Sequence, residues 1–196
     1  MKILGVTGGI GSGKSTLCKL LVEYASAQLY CADLKARELM NSHQWLRGSI
    51  VEAFGEGCYS GGELNRAYLA GVVFGCEERL QQLNSIVHPV VRDDFRRWVE
   101  QCDCDIVILE SAILFESGFD DLTQIKVAVL APTSLRVERV CRRDSLSSQE
   151  VMKRIEAQMS DDELQGRADM CVVNIFEEDL EASAQRIAKM VERWQE

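Results

Sequence analysis

The chain has 196 residues and a formal net charge of −9, from 22 Lys and Arg against 31 Asp and Glu; 46% of its residues are hydrophobic and 27% charged. That composition belongs to an ordinary globular protein and excludes disorder, collagen and coiled coil. An acidic chain is repelled by polyanions and by anionic leaflets, so neither nucleic acid nor a membrane is an expected partner, and any anionic ligand must meet a local concentration of positive charge.

Residues 3–7 form a short apolar run suited to a strand buried on both faces. The run breaks into glycines after Val6 and is too short for a signal sequence, and no stretch approaches the ~18 apolar residues of a membrane span, so a cytoplasmic location is expected. Gly8-Gly9-Ile10-Gly11-Ser12-Gly13-Lys14-Ser15 then satisfies G-x-x-x-x-G-K-S between that strand and a helical pattern over residues 15–24. Glycines let successive backbone N–H groups turn inward on phosphate oxygens, and the helix beginning near Lys14 adds the positive end of its dipole. Lys14 is a mobile point charge for the β and γ phosphates, and the Ser15 hydroxyl is placed to ligate Mg2+.

A second strand is expected over residues 28–31, followed by Asp33, which reads either as a carboxylate at the ligand-binding edge of a sheet or as the N-cap of a helix over residues 34–40. About seventy-five residues separate this strand from the third, at 106–109, far more than a crossover needs. Most of the stretch therefore reads as an inserted helical lobe, with helical patches at 45–54, 65–74 and 77–99. Trp45, Trp98 and Trp194 read as helix packing, and Phe74, Ile86 and Val87 as lobe core. The third strand ends in Glu110, either a carboxylate of the magnesium shell or a capping or surface glutamate.

A fourth strand is expected over residues 126–131, and a helix begins after Pro132-Thr133. Between residues 134 and 154, Arg136, Arg139, Arg142, Arg143, Lys153 and Arg154 outnumber Glu138, Asp144 and Glu150, a local charge of +3 where a polyphosphate is tolerated. A fifth strand at 171–175 and an amphipathic helix at 180–194 complete an alternation of strands and helices, which means a parallel sheet covered on both faces. The eight cysteines are scattered without a C-x-x-C pair, and with only His43 and His88 beside them they read as reduced, buried core residues and not as a zinc cluster.

The guanine-reading N-K-x-D string and the D-x-x-G switch string are both missing, which argues against a GTPase switch. An inserted lobe and a basic segment able to close over phosphates and exclude water are what a small-molecule kinase needs. Two alternatives stay open on these grounds: a nucleoside monophosphate kinase with a different acceptor lobe, and a non-catalytic ATP-binding regulator.

More specific strings are present. Residues 7–16 read T-G-G-I-G-S-G-K-S-T; Cys31-Ala32-Asp33-Leu34-Lys35-Ala36-Arg37 is similar to D-A-D-x-x-A-R, with Cys31 in place of the first aspartate. Phe54-Gly55, then Gly62-x-Leu64-Asn65-Arg66 with Leu69, Val73 and Phe74, and Leu83-Asn84-x-Ile86-x-His88-Pro89 follow at matching spacing. So do Ile113-Leu114-Phe115-Glu116 with Ala112 where proline is usual, the R-x-x-x-R-D of Arg139 to Asp144, Arg154-Ile155 with Gln158, Ala168-Asp169, and Asn174. From Gly5 to about Asn174 the chain resembles the dephospho-CoA kinase family.

The resemblance implies an α/β P-loop NTPase fold: a five-stranded parallel sheet flanked by helices, with core 1–32, 103–135 and 168–196, a helical acceptor-binding lobe at about 33–102 and a basic lid at about 136–167. It implies transfer of the ATP γ-phosphoryl group to the ribose 3′-hydroxyl of dephospho-CoA, with Mg2+ accompanying ATP. ATP is then expected on Gly11, Ser12, Gly13, Lys14, Ser15, Thr16 and Asn174, and the metal on Ser15 and Glu110. Lys14, Asp33, Arg139 and Arg143 are the expected catalytic residues, Asp33 orienting or deprotonating the acceptor hydroxyl and the cations neutralising the transferred group. Asp33, Arg37, Arg66 and His88 are the expected acceptor contacts, although His88 reads equally as a structural histidine. Nothing in the chain signals an oligomer, and a monomer is the expectation.

Overall fold

The computed structural model describes residues 1–73 and 75–193, so Phe74 and Trp194 lie outside the described residues. The chain divides into two compact units, Met1–Cys31 with the residues from Cys102 onward, and Ala32–Gln101. In chain order, β1 (Lys2–Thr7), α1 (Lys14–Tyr24) and β2 (Gln28–Cys31) open the first unit. The second unit contains α2 (Ala32–Ser42), α3 (Gln44–Phe54), a 3-10 turn (Glu56–Cys58), the short strands β3 (Tyr59–Ser60) and β4 (Glu63–Leu64), α4 (Arg66–Val73) and α5 (Glu77–Glu100). The first unit resumes with β5 (Ile106–Glu110), a 3-10 turn (Phe119–Leu122), β6 (Ile125–Leu130), α6 (Thr133–Asp144), α7 (Ser148–Glu156), α8 (Asp161–Arg167), β7 (Met170–Val173) and α9 (Glu177–Arg193).

The sheet of the first unit has the order β2-β5-β1-β6-β7, with every pairing parallel. Strand side chains alternate between faces, and this splits the core in two. Leu4, Val6, Ile106, Ile108, Val127 and Val129 point to the face covered by Leu17 and Leu21 of α1 and by Leu180, Ala184, Ile187 and Val191 of α9. Ala128 and Leu130 point the other way, against Phe115 and against Leu164 of α8. The strand order turns back on itself around β1, and at such a switch point the loops leaving the carboxyl ends of the strands form the ligand crevice of an open α/β sheet. The phosphate-loop motif leaves β1 at that point.

The second unit is helical apart from the β3–β4 hairpin, which pairs Tyr59 with Leu64 and was not expected from the sequence because two-residue strands carry no periodic signal. Its buried apolar residues include Leu46, Ile50, Phe54, Leu69, Val87, Val90, Val91 and Phe95. His43, which carries no sequence motif, caps α3: its Nδ1 accepts the Leu46 N–H at 3.3 Å. The Arg47 guanidinium stacks 4.3 Å over the Tyr59 ring and donates to the carbonyls of Asn41 and Gly62, both at 2.7 Å, tying hairpin to helices.

Some expectations fail at the level of single side chains. Trp45 is 60% exposed and not packed between helices, whereas Trp98 stacks on Phe95 with ring centroids 6.3 Å apart. All eight cysteines are reduced, but only Cys18 and Cys58 are buried; the other six are half-buried. Helix α2 begins at Ala32, so Asp33 stands in its first turn, where a carboxylate complements the dipole, and is not the N-cap.

Candidate nucleotide-binding site

The site grows out of β1. The loop closes on itself through Ser12 N–H donating to the Gly9 carbonyl at 3.1 Å, and α1 opens with the Thr16 and Leu17 N–H groups both donating to the Gly13 carbonyl, at 3.0 and 3.1 Å. The N-terminus of α1 thereby abuts the loop, the arrangement that makes a helix N-terminus an anion site. Gly13 has φ 98°, ψ 11°, and a Cβ there would run into the Asn174 side-chain amide, so glycine is required by both backbone and packing.

Asn174 is 3% exposed and follows β7. Its N–H donates to the Leu130 carbonyl at 2.8 Å, extending the sheet by one rung, and its Nδ2 donates to the Ser12 carbonyl at 2.7 Å. Its backbone and side-chain oxygens accept from the Arg139 guanidinium at 3.4 Å, while Arg139 Nη1 also reaches the Gly11 carbonyl at 3.4 Å. Asn174 therefore braces the loop; the family resemblance places it at ATP, and its contacts with Ser12 and Arg139 carry no signal in the sequence.

The alternation of β5 explains Glu110. Ile106 and Ile108 face α1, and Glu110, two residues on, shares their side of the sheet. Its carboxylate is 4% exposed and accepts a hydrogen bond from the Ser15 hydroxyl. Neither a surface nor a capping glutamate fits this placement. A hydroxyl and a carboxylate side by side are the hard oxygen donors that suit Mg2+, an ion that keeps most of its shell as water and phosphate oxygen. Among the described residues no group of three or more His, Cys, Asp or Glu side chains could hold a metal by itself.

A cavity of about 180 Å³ lies over the loop, with Lys14, Ser15 and Thr16 on one wall and Arg139 and Arg143 on the other. Three cations thus converge on one hollow of an acidic protein. The +3 window is nevertheless not an open positive face. Arg142 pairs with Glu138 at 2.7 Å, and Arg143 makes a bidentate pair with Asp144 at 2.7 and 2.9 Å. That pair raises the Arg143 pKa and lowers that of Asp144. Arg136 is turned inward and is 3% exposed.

Within the second unit, Asp33 is half-buried on α2, Arg37 is exposed on the same helix, and Arg66 is exposed at the start of α4. His88 is half-buried on α5 beside Pro89; burial, with the Arg92 charge second, lowers its pKa and favours the neutral imidazole. Lys14, Ser15, Thr16, Glu110, Arg139, Arg143 and Asn174 are brought together in the first unit. Arg136, Asp161 and Gln158 also belong to the loop's surroundings; Arg136 carried a signal as part of the basic window and Gln158 as part of a quoted string, and Asp161 carried none.

Known proteins point the same way as this geometry. A family model described as "Dephospho-CoA kinase" matches residues 2–178. A "Dephospho-CoA kinase" of Bacteroides fragilis is 42% identical over 178 residues, covering 90% of this chain and 86% of the relative. One of Salinibacter ruber is 44% identical over 178 residues, covering 89% of each. A crystal structure of a protein from Thermus thermophilus superposes with a TM-score of 0.82 at 35% identity, covering 96% of this chain and 97% of that one.

Proposed function

The chain belongs to the dephospho-CoA kinase family, and on that premise we propose how its residues carry out ATP-dependent phosphorylation of the ribose 3′-hydroxyl of dephospho-CoA, the step that gives coenzyme A and ADP. The observation that carries the assignment of roles is the convergence of Lys14, Arg139 and Arg143 on the cavity above the α1 N-terminus.

Phosphoryl transfer asks a protein mainly for positioning and charge neutralisation. The backbone of Gly11, Ser12 and Gly13, the N-terminus of α1 at Lys14, Ser15 and Thr16, and the Lys14 ammonium bind the β and γ phosphates of ATP. Arg139 and Arg143 neutralise charge on the group in transit; Arg139 is already oriented by Asn174, and Asn174 also borders the donor adenine. Ser15 and Glu110 are the residues that would hold Mg2+. When bound, that ion supplies charge neutralisation at the β and γ phosphate oxygens.

On the acceptor side, the 3′-oxygen forms a bond to the γ phosphorus as the bond to the β–γ bridging oxygen breaks, and Asp33 orients the hydroxyl and takes its proton. Support for Asp33 is the D-A-D-x-x-A-R string and its place two residues past β2. Arg37 and Arg66 bind acceptor phosphates, since a guanidinium grips them in bidentate fashion. His88, held neutral, contacts the acceptor's nucleotide part. Residues of about 33–102 serve as the acceptor-binding lobe and those of about 136–167 as the lid over the core. Eight reduced cysteines suit a cytoplasmic protein; it acts as a monomer and without nucleic acid. Among the described residues no helix is long and apolar enough to cross a membrane.

Coupled detection of ADP with dephospho-CoA offered beside the four nucleoside monophosphates tests the reading. Turnover is expected with dephospho-CoA alone; turnover with AMP or CMP and none with dephospho-CoA overturns it.

A further inference from the structure

Arg136 is a charged residue almost completely withdrawn from water. Its Nε donates to the Ile10 carbonyl at 3.0 Å, and its Nη1 pairs with Asp161 Oδ1, the first residue of α8, at 3.0 Å. Its Nη2 is buried with no hydrogen-bond partner among the described residues, and a Cβ on Gly9 would strike it. The other side of the same loop residue is held as well: the Ile10 N–H donates to Gln158 Oε1 at 2.8 Å, and Gln158 lies between α7 and α8. The two backbone polar groups of Ile10, at the crest of the phosphate loop, are therefore held by two side chains from the segment that follows β6.

Burying a guanidinium is costly when one of its donors is unmet and its carboxylate partner is partly in water, and Asp161 is 38% exposed. As a device for stability alone this is poor; as a device for fixing one peptide group it is good, because the planar fork sets direction as well as distance. We infer that Arg136, with Gln158, is a positioning residue that holds the Ile10 backbone and so preorganises the phosphate loop for the triphosphate, linking the loop's shape to the α7–α8 junction. This rests on reading residues 8–15 as the ATP phosphate loop. A loop that must be ordered when ATP arrives binds it more weakly than one already ordered.

The test is calorimetric titration of ATP with Mg2+ into wild type, Arg136→Gln, Arg136→Lys and Gln158→Leu, well below each variant's Tm, together with KM for both substrates. Arg136→Gln is expected to weaken ATP binding about tenfold or more, and Gln158→Leu several-fold, on the scale of a lost charge-assisted and a lost neutral hydrogen bond respectively. Arg136→Lys should fall between, since an ammonium cannot serve Ile10 and Asp161 as a fork does. KM for dephospho-CoA should stay near wild type. A purely structural arginine would lower Tm and leave the affinity of the folded protein untouched, so ATP affinity within twofold of wild type in Arg136→Gln overturns the inference. If Arg136→Gln does not fold, Gln158→Leu decides by the same criterion. Absence of ATP binding by the wild type would instead overturn the reading of the loop itself.

Discussion

The Ser15 hydroxyl, at the second position of α1, is hydrogen-bonded to the carboxylate of Glu110, the last residue of β5. Ninety-five residues separate the two in sequence. They meet because β1 and β5 are hydrogen-bonded neighbours, with Val6 opposite Glu110 in register, and because the α1-facing side of β5 ends in an acid. The pair sets a hydroxyl that lines the cavity beside a carboxylate, the two hard-oxygen groups proposed above to hold Mg2+.

Glu110→Gln keeps the shape and the acceptor oxygen but removes the charge. The Mg2+ concentration for half-maximal activity should rise and kcat/KM should fall about 10- to 100-fold, the usual cost of disturbing a ligand's support. Activity measured across a Mg2+ titration checks this; an unchanged midpoint removes Glu110 from the metal's surroundings.

Asn174→Ala removes the donor to the Ser12 carbonyl and the side-chain acceptor for Arg139 in one step, leaving only the backbone carbonyl to that guanidinium. Leaving a buried carbonyl unmet costs about 1–3 kcal/mol, which in a chain of this size lowers Tm by several degrees at about 2–4 °C per kcal/mol. KM for ATP should rise with it. Gly13→Ala should be worse than either effect alone, because the new Cβ meets the Asn174 amide in a left-handed backbone; thermal melts and ATP titrations of both variants read this out.

Asp33→Asn is expected to lower kcat by about 10²- to 10⁴-fold, the range for a lost general base, with ATP affinity nearly unchanged. Arg143→Ala should also act on kcat, because the residue lines the cavity and the Asp144 that holds its guanidinium lies on its own helix. Steady-state kinetics with both substrates varied distinguishes the two, and full turnover in Asp33→Asn takes that residue out of the chemistry.

The pH dependence has two windows. His88 has a folded pKa below its ordinary value of about 6.5, so the unfolded chain binds the extra proton and stability is lost as pH falls from about 6.5 toward the folded value. Glu150 and Glu163 sit in capping boxes with Ser147 and Ser160, whose hydroxyls chiefly lower their pKa values. Their contribution is intact above the ordinary glutamate value of about 4.3 and disappears as pH falls through the lowered folded values. Tm measured from pH 8 down to about 2 should decline in two stages, the second below the ordinary glutamate range, and His88→Gln should flatten the first without altering the second; an identical first stage in that variant contradicts the assignment.

What was legible in the chain was what is contiguous. The loop of residues 8–15 is one string whose glycines, lysine and serine each have a physical reason, and the five strands were visible as apolar runs, within a residue or two of β1, β2, β5, β6 and β7. What was not legible depends on direction. A count of six basic residues between 134 and 154 cannot say that Arg136 points inward to Ile10 while Arg142 points out to Glu138. Nor does helical spacing around Trp45 reveal that the ring ends up in solvent. The resemblance expects Asn174 at ATP, but its bracing of the loop was not legible because its partners, Ser12 and Arg139, are 162 and 35 residues away.

The most direct measurement follows phosphorus by NMR in purified protein mixed with ATP, Mg2+ and dephospho-CoA. The account predicts equal amounts of ADP and a new phosphomonoester on the ribose 3′ position, both abolished in Lys14→Ala. Conversion of ATP to ADP and inorganic phosphate with dephospho-CoA left intact would contradict it.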